Sequence, residues 1–101
     1  MYKLNFSTLA KQDIKDARYW YRKKQQVLDK RFYKELKDTL KRITQNPLSF
    51  PAKHAEIRIA HILVFPYLIH FSIDDEQKYI NIFGIYHAKD NPKKWDRWPN
   101  E

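Results

Sequence analysis

The sequence predicts an α+β fold in the order β-α-α-β-β-β, with a helical hairpin packed on one face of a four-stranded antiparallel sheet. Three observations carry this expectation. Apolar residues alternate over residues 2–6. They recur at helical spacing through residues 10–21 and again through 32–43. Beyond about residue 55 the period changes, and runs rich in Ile, Val, Phe and Tyr follow one another across short polar breaks. A sheet with one apolar face buries it against such a hairpin.

Each element has its own local reason. Tyr2, Leu4 and Phe6 share one side of a short first strand, and Ser7 follows as a helix N-cap whose hydroxyl can accept a free amide. Ala10, Ile14, Ala17 and Tyr21 form the apolar stripe of a first helix that runs to about Gln26. Asp29 is the expected N-cap of the second helix, with Leu28 and Tyr33 placed as a hydrophobic staple. Phe32, Leu36, Leu40 and Ile43 form its stripe, and Asn46-Pro47 ends it. Strands are expected from about Glu56 to Phe65, over Tyr67–Ile73 and over Tyr79–His87, with Asp74 to Gln77 as a polar turn. Short connections make these three an antiparallel meander. A turn centred near Glu76 sets Tyr67 opposite Ile85 and His70 opposite Ile82, and leaves Tyr67 and His87 on one sheet face. In the tail, Pro92 suits the first turn of a helix.

Composition bounds the function. The 101 residues suit one domain spanning 1–101, with a modest core and little room for a large cofactor. There is no Cys and only one Gly, which excludes thiolate metal sites and glycine-rich phosphate loops. His54, His61, His70 and His87 match no short ligand motif, so neither a metal nor a cofactor is expected. The N-terminus lacks the apolar run of a signal peptide, and no stretch approaches the ~20 apolar residues that span a bilayer. A cytoplasmic protein without membrane contact is the expectation. The net charge is +8, and all of it lies in residues 1–50, because residues 51–101 balance. A basic helical half attracts nucleic acid, ribosome or an acidic protein segment; a solvated lysine-rich helix surface is the plainer alternative.

Several short motifs then fall in order along nearly the whole chain. They are Phe6-Ser7, Ala10, Asp13-Ile14 and Ala17 with Tyr19-Trp20-Tyr21; Asn46-Pro47, Phe50-Pro51 and Ile57-Arg58; Phe65-Pro66-Tyr67, Ile69 and Phe71; and Ile82, Ile85-Tyr86-His87, Asp90, Pro92, Trp95 and Arg97. In this set the chain resembles the RelE/ParE family of type II toxin–antitoxin toxins, also called plasmid-stabilisation proteins. The resemblance implies a growth-inhibiting toxin neutralised by a small cognate antitoxin protein. It also implies one of two targets. RelE-like members cleave mRNA on the ribosome without a metal, using a strand arginine, further cations and a Tyr or His near the end of the last strand. ParE-like members poison DNA gyrase and have no established active site.

The candidate residues divide along that line. Tyr67, in Tyr67-Leu68-Ile69-His70, stands where the RNA-cleaving members carry their strand arginine; the change removes a bidentate phosphate clamp and suits a packing residue. Arg58 can hold a phosphate or pair with a carboxylate such as Glu56. His87 falls where some RNA-cleaving relatives carry a catalytic histidine, and imidazole suits proton transfer near neutral pH. Catalysis, if this is an enzyme, would draw on His87, Arg58 and Lys89. Lys89, Lys93, Lys94 and Arg97 beside Trp95 and Trp98 have the composition of a nucleic-acid or target contact, to which Tyr67 could add, and also of a tail whose tryptophans cap the core. The missing strand arginine and the length of the helices favour the ParE-like branch and a non-enzymatic action. The RNA-cleaving alternative stays open at this point.

Overall fold

The structure, a computed structural model, describes residues 1–89; the expectations for Asp90, Pro92, Lys93, Lys94, Trp95, Arg97 and Trp98 lie outside the described residues. The elements are β1 (Lys3–Phe6), α1 (Thr8–Lys24), α2 (Gln26–Gln45), a 3-10 turn (Pro47–Ser49), β2 (Ala52–His54), β3 (Ile57–His61), β4 (Tyr67–Asp74) and β5 (Tyr79–His87). None of the helices among these residues is long and apolar enough to cross a membrane.

The sheet corrects the expectation of four antiparallel strands. It has five strands in the order β1-β5-β4-β3-β2 and is mixed, because β1 pairs parallel with β5. The three later hairpins are antiparallel, as short turns require. No hairpin joins β1 to β5, so local turn geometry leaves the direction of that pair free. The fifth strand, β2, was not expected. It has only three residues and a register shift against β3, too little chain to show alternation. The β3 strand also stops at His61 rather than Phe65. The chain leaves it through a loop in which Val64 takes φ 75, a conformation unfavourable for a β-branched side chain.

The hairpin is built much as the stripes require. The Ser7 hydroxyl accepts the Ala10 amide hydrogen at 3.0 Å and so caps α1. Phe32, Leu36, Leu40 and Ile43 are buried, and so are Ala10 and Ala17, whose small side chains let α1 lie close to β5. The Asp29 cap is corrected. Gln25 alone is extended and turns the chain, so α2 begins at Gln26. Asp29 sits buried in the first turn of α2 and accepts hydrogen bonds from Arg18 (2.7 Å) and Arg22 (3.1 Å) of α1. The Arg18 hydrogen bond outweighs the effect of burial and, with Arg22, holds the Asp29 carboxyl below the usual range. Because the shift is downward, this contribution is full above the unfolded carboxyl value and fades as pH falls through the folded one. Asp29→Ala should cost about 1–2 kcal/mol in urea unfolding at neutral pH, a modest figure because both arginines reach water. The same substitution should matter little in strong acid. An equal loss at both pH values would show that the ion pair is not its source.

The core lies between the hairpin and one sheet face, which carries Ala60, Ile69, Phe71, Ile80, Ile82 and Ile85. Alternation places Ile57, Ile59, Leu68, His70 and Tyr86 on the opposite face, where they too are buried.

Candidate functional site

The expected register of the last hairpin is wrong in detail, and the difference builds the site. Near the turn the strands slip by one residue, so Ile73 pairs with Ile80 and Phe71 with Ile82. Carried onward, that slip would put Tyr67 and His87 on opposite faces. A bulge at Phe83 adds one residue to β5 and shifts the register by one more in the same direction, which restores the facing. His70 then pairs with Gly84, Ile69 with Ile85 and Tyr67 directly with His87. The two ring centroids are 5.2 Å apart. Two side chains from the start of the chain stitch the bulge. The Ser7 hydroxyl donates to the Phe83 carbonyl (3.2 Å), and the Asp13 carboxylate accepts the Ile85 amide hydrogen (3.0 Å). They serve β5 beyond Phe6, where β1 has ended. Gly84 leaves room for the Tyr86 ring, which a Cβ would meet at 2.7 Å and force to shift.

Tyr67 is held mainly by packing. Its ring meets Phe32 at 5.3 Å and Tyr21 at 6.2 Å, edge to face, and Phe65 completes the cluster against both. His87 accepts the Lys89 backbone amide hydrogen on Nδ1 (3.1 Å), which leaves Nε2 as the donor of the neutral ring. Lys89 thus touches His87 through its backbone.

Arg58 is not part of this group. It pairs with Phe71, four residues along β4 from Tyr67, or about 13 Å at the usual strand rise. Its guanidinium donates to the Phe50 carbonyl at 2.6 Å, beside Tyr2, Glu56 and Asp75 in a separate hollow. Arg58 and His87 therefore sit toward opposite ends of the sheet. Lys93, Lys94, Trp95 and Arg97 lie outside the described residues. No group of three or more His, Cys, Asp or Glu side chains that could hold a metal occurs among the described residues.

The hairpin carries two surfaces that the residue-by-residue reading missed. One is a groove between the helices, floored by Ile14, Tyr33, Leu36 and Leu40 and rimmed by Lys11, Lys15 and Lys37. The other lies on α1, where Trp20 and Tyr19 are more than half exposed beside Lys23 and Lys24. A signal for the second was available. Three consecutive aromatics, Tyr19-Trp20-Tyr21, turn through about 200° on a helix, so they cannot all face the core.

A basic helical hairpin laid on a small mixed sheet makes a small α+β domain with its candidate residues spread over open surfaces. The chain belongs to the ParE toxin family: the family model described as "ParE toxin of type II toxin-antitoxin system, parDE" matches residues 4–92. Among solved structures it is similar to a chain of the chromosomal ParDE TA system from P. aeruginosa. The TM-score is 0.71 at 18% identity, covering 88% of this chain and 98% of that one. At that identity the likeness concerns the fold. No curated protein matches the chain.

Proposed function

We propose that this ParE-family toxin works as a ParE-like poison of DNA gyrase in the cytoplasm, with residues 1–101 as one domain and a small cognate antitoxin holding it in check. The observation that carries this reading is the separation of the candidate groups among the described residues. A metal-free RNA-cleaving centre has to neutralise a phosphate dianion with converging charges. Here the strand-arginine position holds Tyr67, packed among Phe32 and Tyr21, while Arg58 hydrogen-bonds a carbonyl some four strand positions away. Among the described residues no arginine is placed beside His87 as a clamp, and a histidine without one does acid–base work on a badly held substrate.

The inter-helix groove supports the antitoxin half of the proposal. An apolar floor with a lysine rim, on the half of the chain that bears the whole +8, suits an amphipathic acidic segment. Its affinity should fall as salt rises, since screening shortens from about 8 Å at 0.15 M to about 3 Å at 1 M. Affinity that ignores salt would assign the complex to apolar burial alone.

The deciding experiment is induced expression of wild type, His87→Ala and Arg58→Ala, following DNA-damage signalling and protein synthesis separately, alongside supercoiling by purified gyrase. Loss of a general acid–base typically costs ~10²–10⁴-fold, whereas we expect His87→Ala to change growth inhibition by less than about threefold. Gyrase should be inhibited by the wild type and by both variants. If the wild type cleaves ribosome-bound mRNA, and His87→Ala abolishes both cleavage and growth arrest, the endoribonuclease reading replaces this one.

A further inference from the structure

One end of the molecule keeps an uneven share of its apolar surface. Nine large hydrophobic side chains are exposed among the described residues, and five of them, Tyr19, Trp20, Val27, Leu63 and Val64, belong to this end. It is formed by the last turns of α1, the first turn of α2 and the β3–β4 loop. The Tyr21–Phe65 ring contact at 5.0 Å and the Phe32–Phe65 contact at 5.4 Å tie these elements together. Val64 is 78% exposed at φ 75, so the fold holds a β-branched residue in a costly conformation with its side chain in water. Lys23 and Lys24, in the basic last turn of α1, stand beside Tyr19 and Trp20, and Asp16 is the one carboxylate among the described residues that lines the same hollow.

The charges say what kind of partner fits. Lys24 Nζ sits 4.6 Å from the Trp20 ring centroid and Lys23 Nζ 5.4 Å from that of Tyr19. An ammonium over an aromatic ring takes a face on which a nucleic-acid base would stack, so the patch is poorly suited to base stacking. The same ammonium groups remain able to meet carboxylates. Exposed Trp and Tyr beside cations have the make-up of an interface anchor between proteins. Position on α1 separates this surface from the groove. At 100° per residue, Lys11, Ile14, Lys15 and Arg18 of the groove point about 150° away from the mean direction of residues 16, 19, 20, 23 and 24.

We infer that α1 uses its two sides for different partners, and that the Trp20 end docks on an acidic protein surface of the toxin's target while the antitoxin lies in the groove. This rests on the reading of the protein as a target-binding toxin given above. The test compares wild type with Trp20→Ala and with the double variant Lys23→Glu/Lys24→Glu. Three quantities are read: growth inhibition in cells, affinity for the purified antitoxin, and thermal midpoint. Loss of an anchor should weaken growth inhibition by about 30-fold or more in each variant. Antitoxin affinity and thermal midpoint should stay at wild-type values. A photo-crosslinking phenylalanine analogue in place of Tyr19 should link to protein subunits of purified gyrase bound to DNA. Undiminished growth inhibition in both variants overturns the inference. So does a loss of antitoxin affinity as large as the loss of inhibition, or a crosslink that ends on DNA. If wild type leaves gyrase untouched while the variants still lose growth inhibition with antitoxin affinity intact, the docking surface stands and the gyrase reading falls.

Discussion

Phe32→Ala should lose about 3–5 kcal/mol of folding stability, the cost of emptying an aromatic site in a packed core. Phe32 is fully buried and its ring is the hub of the cluster, touching Tyr21 at 5.2 Å, Phe65 at 5.4 Å and Tyr67 at 5.3 Å. Those partners come from α1, the β3–β4 loop and β4, so truncation loosens three elements at once. A domain of this size has about 5–15 kcal/mol in all, so the variant should be close to the edge of folding at 37 °C. Thermal unfolding should show a fall on the order of 20 °C, and Phe32→Leu, which keeps most of the volume, a much smaller one. The prediction also bears on Tyr67. If that residue is held by packing, Phe32→Ala should disturb its environment, and Tyr67→Phe should leave growth inhibition intact. A fall of under about 1 kcal/mol in Phe32→Ala would mean that the cluster collapses around the gap and that Tyr67 owes its place to something else.

A second large effect is expected from acid. His70 lies in the middle of β4 with no exposed surface, on the sheet face opposite the hairpin, its ring 4.4 Å from that of Tyr86. Burial pushes it down from 6.5 to about 4, because desolvation penalises the imidazolium. In the unfolded chain the same side chain takes up a proton near pH 6.5. The contribution is therefore fully present above about 6.5 and is lost as pH falls from there toward 4, where the unfolded state binds a proton that the folded state refuses. Between pH 7.5 and pH 4.5 the loss should amount to about 2–3 kcal/mol. Urea midpoints at the two pH values measure it directly. His70→Gln should remove most of that pH dependence, whatever it does to absolute stability. An unchanged slope in the variant would assign the acid sensitivity to other groups. The window is distinct from that of Asp29, whose depressed carboxyl acts below the usual carboxylate range.

The sequence by itself determined what depends on neighbouring residues. Ser7 caps α1 because a hydroxyl at that point meets a free amide two or three residues on. Phe32, Leu36, Leu40 and Ile43 face the core because their spacing follows the helix period. The meander from β3 to β5 is antiparallel because its turns are short. The motifs between Phe6 and Pro92 carry the family in the same way, as local patterns in order. The tertiary structure alone decided what depends on residues far apart. β1 runs parallel to β5 although 72 residues separate Phe6 from Tyr79, and no local rule sets that direction. Asp29 spends its carboxylate on Arg18 and Arg22 of the other helix instead of capping its own, since two guanidinium donors bind a buried carboxylate more strongly than one amide does. The site shows the division most sharply. Tyr67 and His87 share a face only because a bulge at Phe83 adds a second one-residue shift to the one at the turn, and two shifts restore the facing. That bulge is held by Ser7 and Asp13 from the opposite end of the chain. Alternation can say which residues share a face within one strand. Which face meets which across two strands is fixed by the register, and the register is a tertiary contact.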